Sequence, residues 1–300
     1  YLDIEQPDVI HTHDFHSIII GKELSQRLKK SGRNIRWVHD FHEYVKGLDG
    51  LDDEIKELSL NEEKESILHA DCLTTVSPTL SAALKKDYKL NEEPTVLYNA
   101  PYRSNLNIDY DLTIRKKLNL PVNVNLGVYI GGISEFRGLH TLIEAMPLVP
   151  KLHIALVTET KGKYMDSLVE SAKELGCYDR LHIMPYVDST EITSFIQDAT
   201  FGIHPMIRYG NAEVALPNKL FDYIHAKIPV IVSNCTTMEQ FVNKWKIGLV
   251  FEAENEKELG NSIKKLLEER EKFTENITDE ILDTFSWENS EGLLKNIYLG

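Results

Sequence analysis

Three short stretches of this chain carry side chains that can do chemistry. Residues 216–222 read Leu-Pro-Asn-Lys-Leu-Phe-Asp. Pro217 suits the first turn of a helix, where its missing N–H costs nothing. The helix start then offers N–H groups, and Lys219 a cation, to an anionic ligand. Asp222 falls one turn in, as an acid that can hold sugar hydroxyls. Residues 131–138 read Gly-Gly-Ile-Ser-Glu-Phe-Arg-Gly. Gly131 and Gly132 let backbone approach a ligand closely, and Arg137 stands where a guanidinium meets phosphate oxygens. The third group is His11, His13, Asp14 and His16, followed after one more strand by Asp40, His42 and Glu43. His-x-His on a strand points both rings to one face, which raises a metal site. No cysteine or glutamate completes a ligand set nearby, so no metal is expected. Phosphate and sugar chemistry fits the first two groups. The plainer readings are a solvated Arg137 in an ordinary turn, a surface Lys219 and a core His11.

The elements that must position these residues alternate strand and helix throughout, which predicts parallel α/β layers. In the first part, strands are expected at 9–13, 34–40, 73–76 and 95–98, with helices at 17–30, 52–69 and from Pro78 onward, where Ser77 is a natural N-cap. Residues 1–6 read as the end of a helix. In the second part, strands are expected at 126–130, 152–157, 181–184, 200–204, 228–232 and 248–251, with helices between them. That is a doubly wound sheet, whose ligands bind beyond the carboxyl ends of its strands. His204 then ends a strand facing the same cleft. Residues 285–298 form a last helix with Ser286 as candidate N-cap. The expected domains are 1–105, a linker 106–122, 123–284, and a terminal helix 285–300.

The bulk numbers exclude several classes. Three hundred residues can hold two cores, and the net charge of −14 argues against non-specific nucleic-acid binding. No apolar run reaches the roughly 20 residues of a membrane helix, and the opening residues are neither basic nor apolar. Cys72, Cys177 and Cys235 read as buried free thiols in a reducing compartment. The basic stretch from Lys22 to Arg36 reads as a solvated helix face, with weak attraction to an anionic membrane surface as the minority reading.

The motifs Pro-Asn-Lys-Leu-Phe-Asp-Tyr followed by Ile-Pro-Val-Ile, His-Thr-His-Asp, Asp-Phe-His-Glu and the terminal Phe-Ser-Trp-Glu together resemble the retaining GT-B glycosyltransferases of family four, the glycosyltransferase group 1 proteins. The resemblance covers almost all of the chain. It implies two Rossmann-like doubly wound domains facing across a cleft, the first one lacking its start. That missing start is expected to hold a glycine-rich loop, or a partner chain to supply it. The implied activity is hexosyl transfer from a nucleotide sugar, with UDP expected, to a glycan or lipid-linked hydroxyl, with retention and without a cofactor or metal. The implied setting is cell-surface polysaccharide synthesis in the cytoplasm, peripheral to the inner face of the membrane.

The resemblance also implies residue roles. His13, Glu213, Arg137 and Lys219 fall at catalytic positions. Gly131, Gly132, Arg137, Tyr186, Val187, Leu216, Pro217, Asn218, Lys219 and Asp222 fall at donor-binding positions, with Tyr186 either stacked on the nucleobase or packed in its loop. Asp14, His42 and Glu43 fall on the acceptor side. The chain departs from the family at two points. Gly132 stands where an arginine is usual. Counting back eight residues from Asp222 reaches Val214 in place of an acid, with Glu213 beside it. These departures keep open a non-catalytic partner of the same fold, and a sugar-nucleotide epimerase is a third reading.

Overall fold

The computed structural model describes residues 7–103, 112–159 and 161–300. The expected helix end at 1–6 and the linker residues 106–111 lie outside them. The chain forms two compact units. The first comprises Tyr1–Asn99, Tyr209–Leu216 and Asn289–Gly300; the second comprises Ala100–Arg208 and Pro217–Glu288.

In the first unit, β1 (Val9–His13), β2 (Arg36–Phe41), β3 (Cys72–Thr75) and β4 (Thr95–Val96) form a parallel sheet in that order. The connecting helices are α1 (Ile18–Lys30), α2 (Asp53–Ser66) and α3 (Pro78–Tyr88). Asp52 caps α2 by accepting from Glu54 and Ile55, and Ser77 caps α3 by accepting from the Leu80 N–H at 3.0 Å. The expected helix 52–69 ends at Ser66 and tightens into a 3₁₀ turn over Ile67–His69. Ile18, Trp37, Phe41, Ile67, Leu80 and Leu84 build the core.

The second unit carries β5 (Asn125–Ile130), β6 (Leu152–Val157), β7 (Leu181–Met184), β8 (Phe201–His204), β9 (Val230–Ser233) and β10 (Gly248–Phe251). All ladders are parallel, in the order β10-β9-β8-β5-β6-β7. The chain steps outward from β5 to β7, then returns to place β8 on the other side of β5. That reversal opens a crevice at the carboxyl ends of β5 and β8, where such sheets bind ligands. Helices pack on both faces, with Leu142, Ile154, Leu156, Phe201, Ile203 and Phe251 among the buried core residues.

Two segments differ from the sequence reading. Residues 209–216, read as part of the second domain, belong to the first unit. There Gly210–Val214 forms a short helix, and the Asn211 carboxamide accepts from the Tyr44 N–H at 2.8 Å. Residues 112–122, read as linker, belong to the second unit, and the Arg115 side chain is anchored on the Asp198 carbonyl and Thr200. The last helix runs Trp287–Leu299, preceded directly by Ser286, whose hydroxyl donates to the Asp283 carbonyl at 2.8 Å. Cys177 and Cys235 are buried free thiols, while Cys72 is only half-buried.

Candidate functional site

The second unit brings most of the expected donor residues around one cavity. β5 ends at Ile130, and Gly131 follows with φ 107°, its N–H donating to the Val157 carbonyl at 3.0 Å. That conformation is open to glycine and strained for other residues. The turn continues through Glu135–Arg137 to Gly138, φ 64°, which starts the helix α4 (Leu139–Ala145). A Cβ on Gly138 would lie 1.9 Å from the Pro205 carbonyl oxygen. This close approach locks the Arg137 turn against the loop that follows β8, and the Ile207 N–H donates to the Phe136 carbonyl at 3.2 Å across the same contact. Arg137 is half-buried.

Opposite it, Pro217 is extended (φ −64°, ψ 137°) and precedes α5 (Asn218–His225), its carbonyl accepting from the Leu220 N–H at 3.0 Å. Pro217 is therefore the cap residue, one place earlier than the sequence suggests. The Lys219 ammonium sits 4.0 Å from the Tyr129 ring centroid, a cation–π contact. It also lies 3.3 Å from the point where a Gly131 Cβ would be. A cavity of about 190 Å³ is lined by Gly131, Tyr186, Val187, Asn218, Lys219 and Asp222, among others. Gly132 is exposed beside it and accepts from the Tyr129 hydroxyl at 2.7 Å. Leu216 is buried and belongs to the first unit.

The cavity holds charge under strain. Burial first, and the neighbouring Arg137 second, hold the Lys219 ammonium well below its ordinary pKa, with Asp222 opposing them. Burial pushes Asp222 up to about 7 against the pull of Lys219. In both groups burial works against the charged form. His204, expected to face the cleft, is instead fully buried with neither ring nitrogen hydrogen-bonded. Burial and the cations Lys219 and Arg137 keep it neutral. Sequence reading missed Tyr129, which seats Lys219, and Tyr223, whose hydroxyl donates to the Ile203 carbonyl and accepts from the Ile130 N–H. Both are aromatic residues inside apolar stretches, where nothing distinguishes them from core.

In the first unit, the parallel register sets His13 beside Asp40. His13 Nδ1 lies 3.2 Å from Asp40 Oδ2 and 3.2 Å from His42 Nε2, and His42 Nε2 lies 2.7 Å from the same carboxylate oxygen. Asp40 is buried, and burial works against its charge. Hydrogen bonds from His42 and Thr74 and the nearby rings nevertheless bring it down to about 2. His42 moves up, chiefly through that bond to Asp40. His11 stacks on His13 with centroids 4.2 Å apart, and burial holds it down at about 4. Asp14 follows with φ 62° and ψ 162°, a region almost reserved for glycine and found where function imposes strain. Glu43 is half-buried in the same segment. Glu213 lies in the short helix of residues 210–214, half-buried. Beside it Val214 is 7% exposed and packs in the core of the first unit. The position that an acid would take is thus a packing position here.

No helix among the described residues is long and apolar enough to cross a membrane. In the basic stretch, Lys29 pairs with Asp71 at 2.7 Å and Arg33 donates to the Pro7 carbonyl.

Comparison with known proteins bears on the whole chain. The family described as glycosyl transferases group 1 matches residues 111–280, and glycosyltransferase family 4 matches residues 1–100. An uncharacterized glycosyltransferase of Methanocaldococcus jannaschii, MJ1607, is 21% identical over 99% of this chain and 76% of its own. The sucrose-phosphate synthase of Thermosynechococcus elongatus superposes with a TM-score of 0.82 at 21% identity, over 99% of this chain and 74% of that one. HepE of Anabaena, solved with UDP, gives 0.79 at 16% identity, over 98% and 79%. The same Anabaena protein is also solved with UDP-glucose. At these identities the structural likeness is one of fold, and the fold is GT-B.

Proposed function

The chain belongs to the glycosyl transferases group 1, and from that premise we propose that it moves a hexosyl group from a nucleotide-diphosphate sugar to a hydroxyl of a glycan or lipid-linked acceptor, with retention of configuration. UDP is the expected nucleotide, supported by the UDP and UDP-glucose bound to the Anabaena relative. The observation that carries the reading is the cavity at the carboxyl end of β5, where Gly131, Lys219 and Asp222 meet. A diphosphate fits a glycine turn beside two cations, and a ribose fits the carboxylate one turn along.

In this reading the bond between the anomeric carbon and the diphosphate oxygen breaks, and a bond to the acceptor oxygen forms. Negative charge grows on the departing diphosphate, so groups fixed there lower the barrier most. Lys219 and Arg137 meet that charge in place of a divalent ion. Tyr186 and Val187 hold the nucleobase, Asn218 and Pro217 the phosphate side, and Asp222 the ribose. His13 serves the transferred sugar together with Glu213, and Asp14, His42 and Glu43 serve the acceptor. The hydroxyl proton passes to a base, and the diphosphate gains basicity as the bond breaks.

Calorimetric titration with UDP, GDP and ADP tests the reading, repeated on Arg137→Ala and Asp222→Ala. Micromolar binding of one nucleotide, weakened at least tenfold in both variants, supports it. Absence of binding by any nucleotide overturns the donor assignment. The alternative of a non-catalytic member is favoured by one observation, the packing role of Val214 where the family carries an acid. Turnover with the matching nucleotide sugar separates the two.

A further inference from the structure

The carboxyl ends of β1 and β2 gather several metal-ligating atoms. His11 and His13 lie two apart on one strand and so share a face. The register puts Asp40 directly beside His13, and His42 follows two residues later. One ligand atom from each of His11, His13 and Asp40 lies within 4.8 Å of the others. We propose that His11, His13, Asp40 and His42 form a binding site for a late first-row divalent cation, Zn²⁺ in the first instance, and that its occupancy takes His13 out of sugar transfer. The second half rests on the role given to His13 above; the binding itself does not.

The distances are those of a nearly assembled site. A tetrahedral zinc with bonds of about 2.0–2.1 Å holds neighbouring ligand atoms roughly 3.3 Å apart. His13 Nδ1 lies 3.2 Å from both Asp40 Oδ2 and His42 Nε2, and the remaining edge is 2.7 Å. Opening that edge by about half an ångström, by the same geometry, completes a triangle for the ion. Ordinary hydrogen bonding accounts for the His42–Asp40 pair but leaves His11 Nε2 buried with no partner. Its other nitrogen is 2.7 Å from the Tyr298 hydroxyl, which fixes the ring and leaves Nε2 as the nitrogen without a partner. Asp40 is anchored the same way, since its second oxygen accepts from the Thr74 hydroxyl at 2.6 Å. Ligands held by such outer hydrogen bonds are the usual support of a metal centre.

Imidazole nitrogens with one carboxylate favour zinc and its neighbours over magnesium or calcium, which take oxygen. The His13 side chain is 54% exposed, so an ion enters from solvent, and a coordinated His13 Nδ1 no longer serves a sugar.

Cobalt substitution tests the site on the full chain freed of metal by chelator. One Co²⁺ per chain is expected, with visible absorption of tetrahedral strength and no thiolate charge-transfer band from Cys72. His42→Ala and the isosteric Asp40→Asn should each weaken Co²⁺ and Zn²⁺ at least tenfold, with unchanged far-ultraviolet dichroism showing that they fold. Tyr298→Phe, which leaves every ligand in place, should weaken binding several-fold. Absence of stoichiometric binding, or binding indifferent to these variants, overturns the site. In turnover assays Zn²⁺ should inhibit and excess chelator should restore the rate. Binding without inhibition overturns the regulatory half alone. UDP calorimetry on the same metal-free protein keeps the two readings apart, since its failure would sink the donor assignment and leave the metal site standing.

Discussion

Asp222 and Lys219 are held in states that oppose their charges, and this has measurable consequences at single residues. An ordinary unfolded aspartate titrates near about 3.9, while burial raises Asp222 to about 7. Between those values the folded chain keeps a proton that the unfolded chain has lost. Stability therefore falls as pH rises from about 4 to about 7 and stays low above it. Asp222→Asn removes this loss, so the variant should melt a few degrees above the parent at pH 8 and level with it near pH 4. Equal melting at both pH values would contradict the assignment. Lys219 gives a second prediction. Its ammonium is disfavoured by burial and Arg137, and a bound diphosphate would restore the charge. Proton exchange linked to nucleotide binding at Lys219 should thus be uptake, read by calorimetry in buffers of different ionisation enthalpy; net release would refute it. At Asp14 the backbone itself is strained (φ 62°, ψ 162°). Asp14→Gly should raise stability by about 1–3 kcal/mol in thermal or denaturant unfolding. These residues were legible as types and spacings, because Asp14 follows a strand and Lys219 and Asp222 fall one turn apart in the helix that Pro217 precedes. Their energetic state was not legible, since burial is set by tertiary neighbours such as Tyr129, which seats Lys219 and reads only as core.

At the scale of elements, the turn from β5 into α4 carries the donor reading. Its geometry depends on Gly138, where a Cβ would meet the Pro205 carbonyl oxygen at 1.9 Å and the backbone has φ 64°. That oxygen is backbone, not a flexible chain end that can move aside. Gly138→Ala should destabilise the chain by more than about 3 kcal/mol, the range of strained and overpacked sites, and should weaken nucleotide binding through displacement of Arg137. An unchanged melting temperature would show the turn to be soft. The order of strands and helices was readable from the sequence because each strand is a short apolar run and each helix has polar flanks. The segments that escaped, 209–216 and 112–122, are short and lack periodicity. Their places are set by contacts distant in sequence, such as Tyr44 with Asn211 and Arg115 with Asp198 and Thr200. Val214 likewise reads as a lost acid in a motif, and only its packing against the first unit's core explains why a valine stands there.

At the scale of the molecule, the net charge is −14, yet the proposed donor is an anion. Attraction must then be local, from Lys219 and Arg137, and not a property of the whole surface. On the proposed reading those two cations do the work of a divalent ion, so dialysis against EDTA should leave turnover undiminished; its loss on chelation would show that they do not suffice. The same locality dictates how binding propagates through the fold. A ligand that binds only the native state stabilises it by about 2.7 kcal/mol at a hundredfold excess over Kd, and the gain appears first where backbone is held by the ligand's own neighbours. In hydrogen–deuterium exchange, saturating UDP should slow the amides of Gly131–Arg137, Tyr186–Ile192 and Lys219–Asp222. The amides of the helix at Glu256–Glu268, in the same unit but away from the cavity's lining, should change only as far as global unfolding governs them. Equal protection of both sets would mean that the nucleotide tightens the unit as a whole, and that the cavity beside Gly131 is not where it is held.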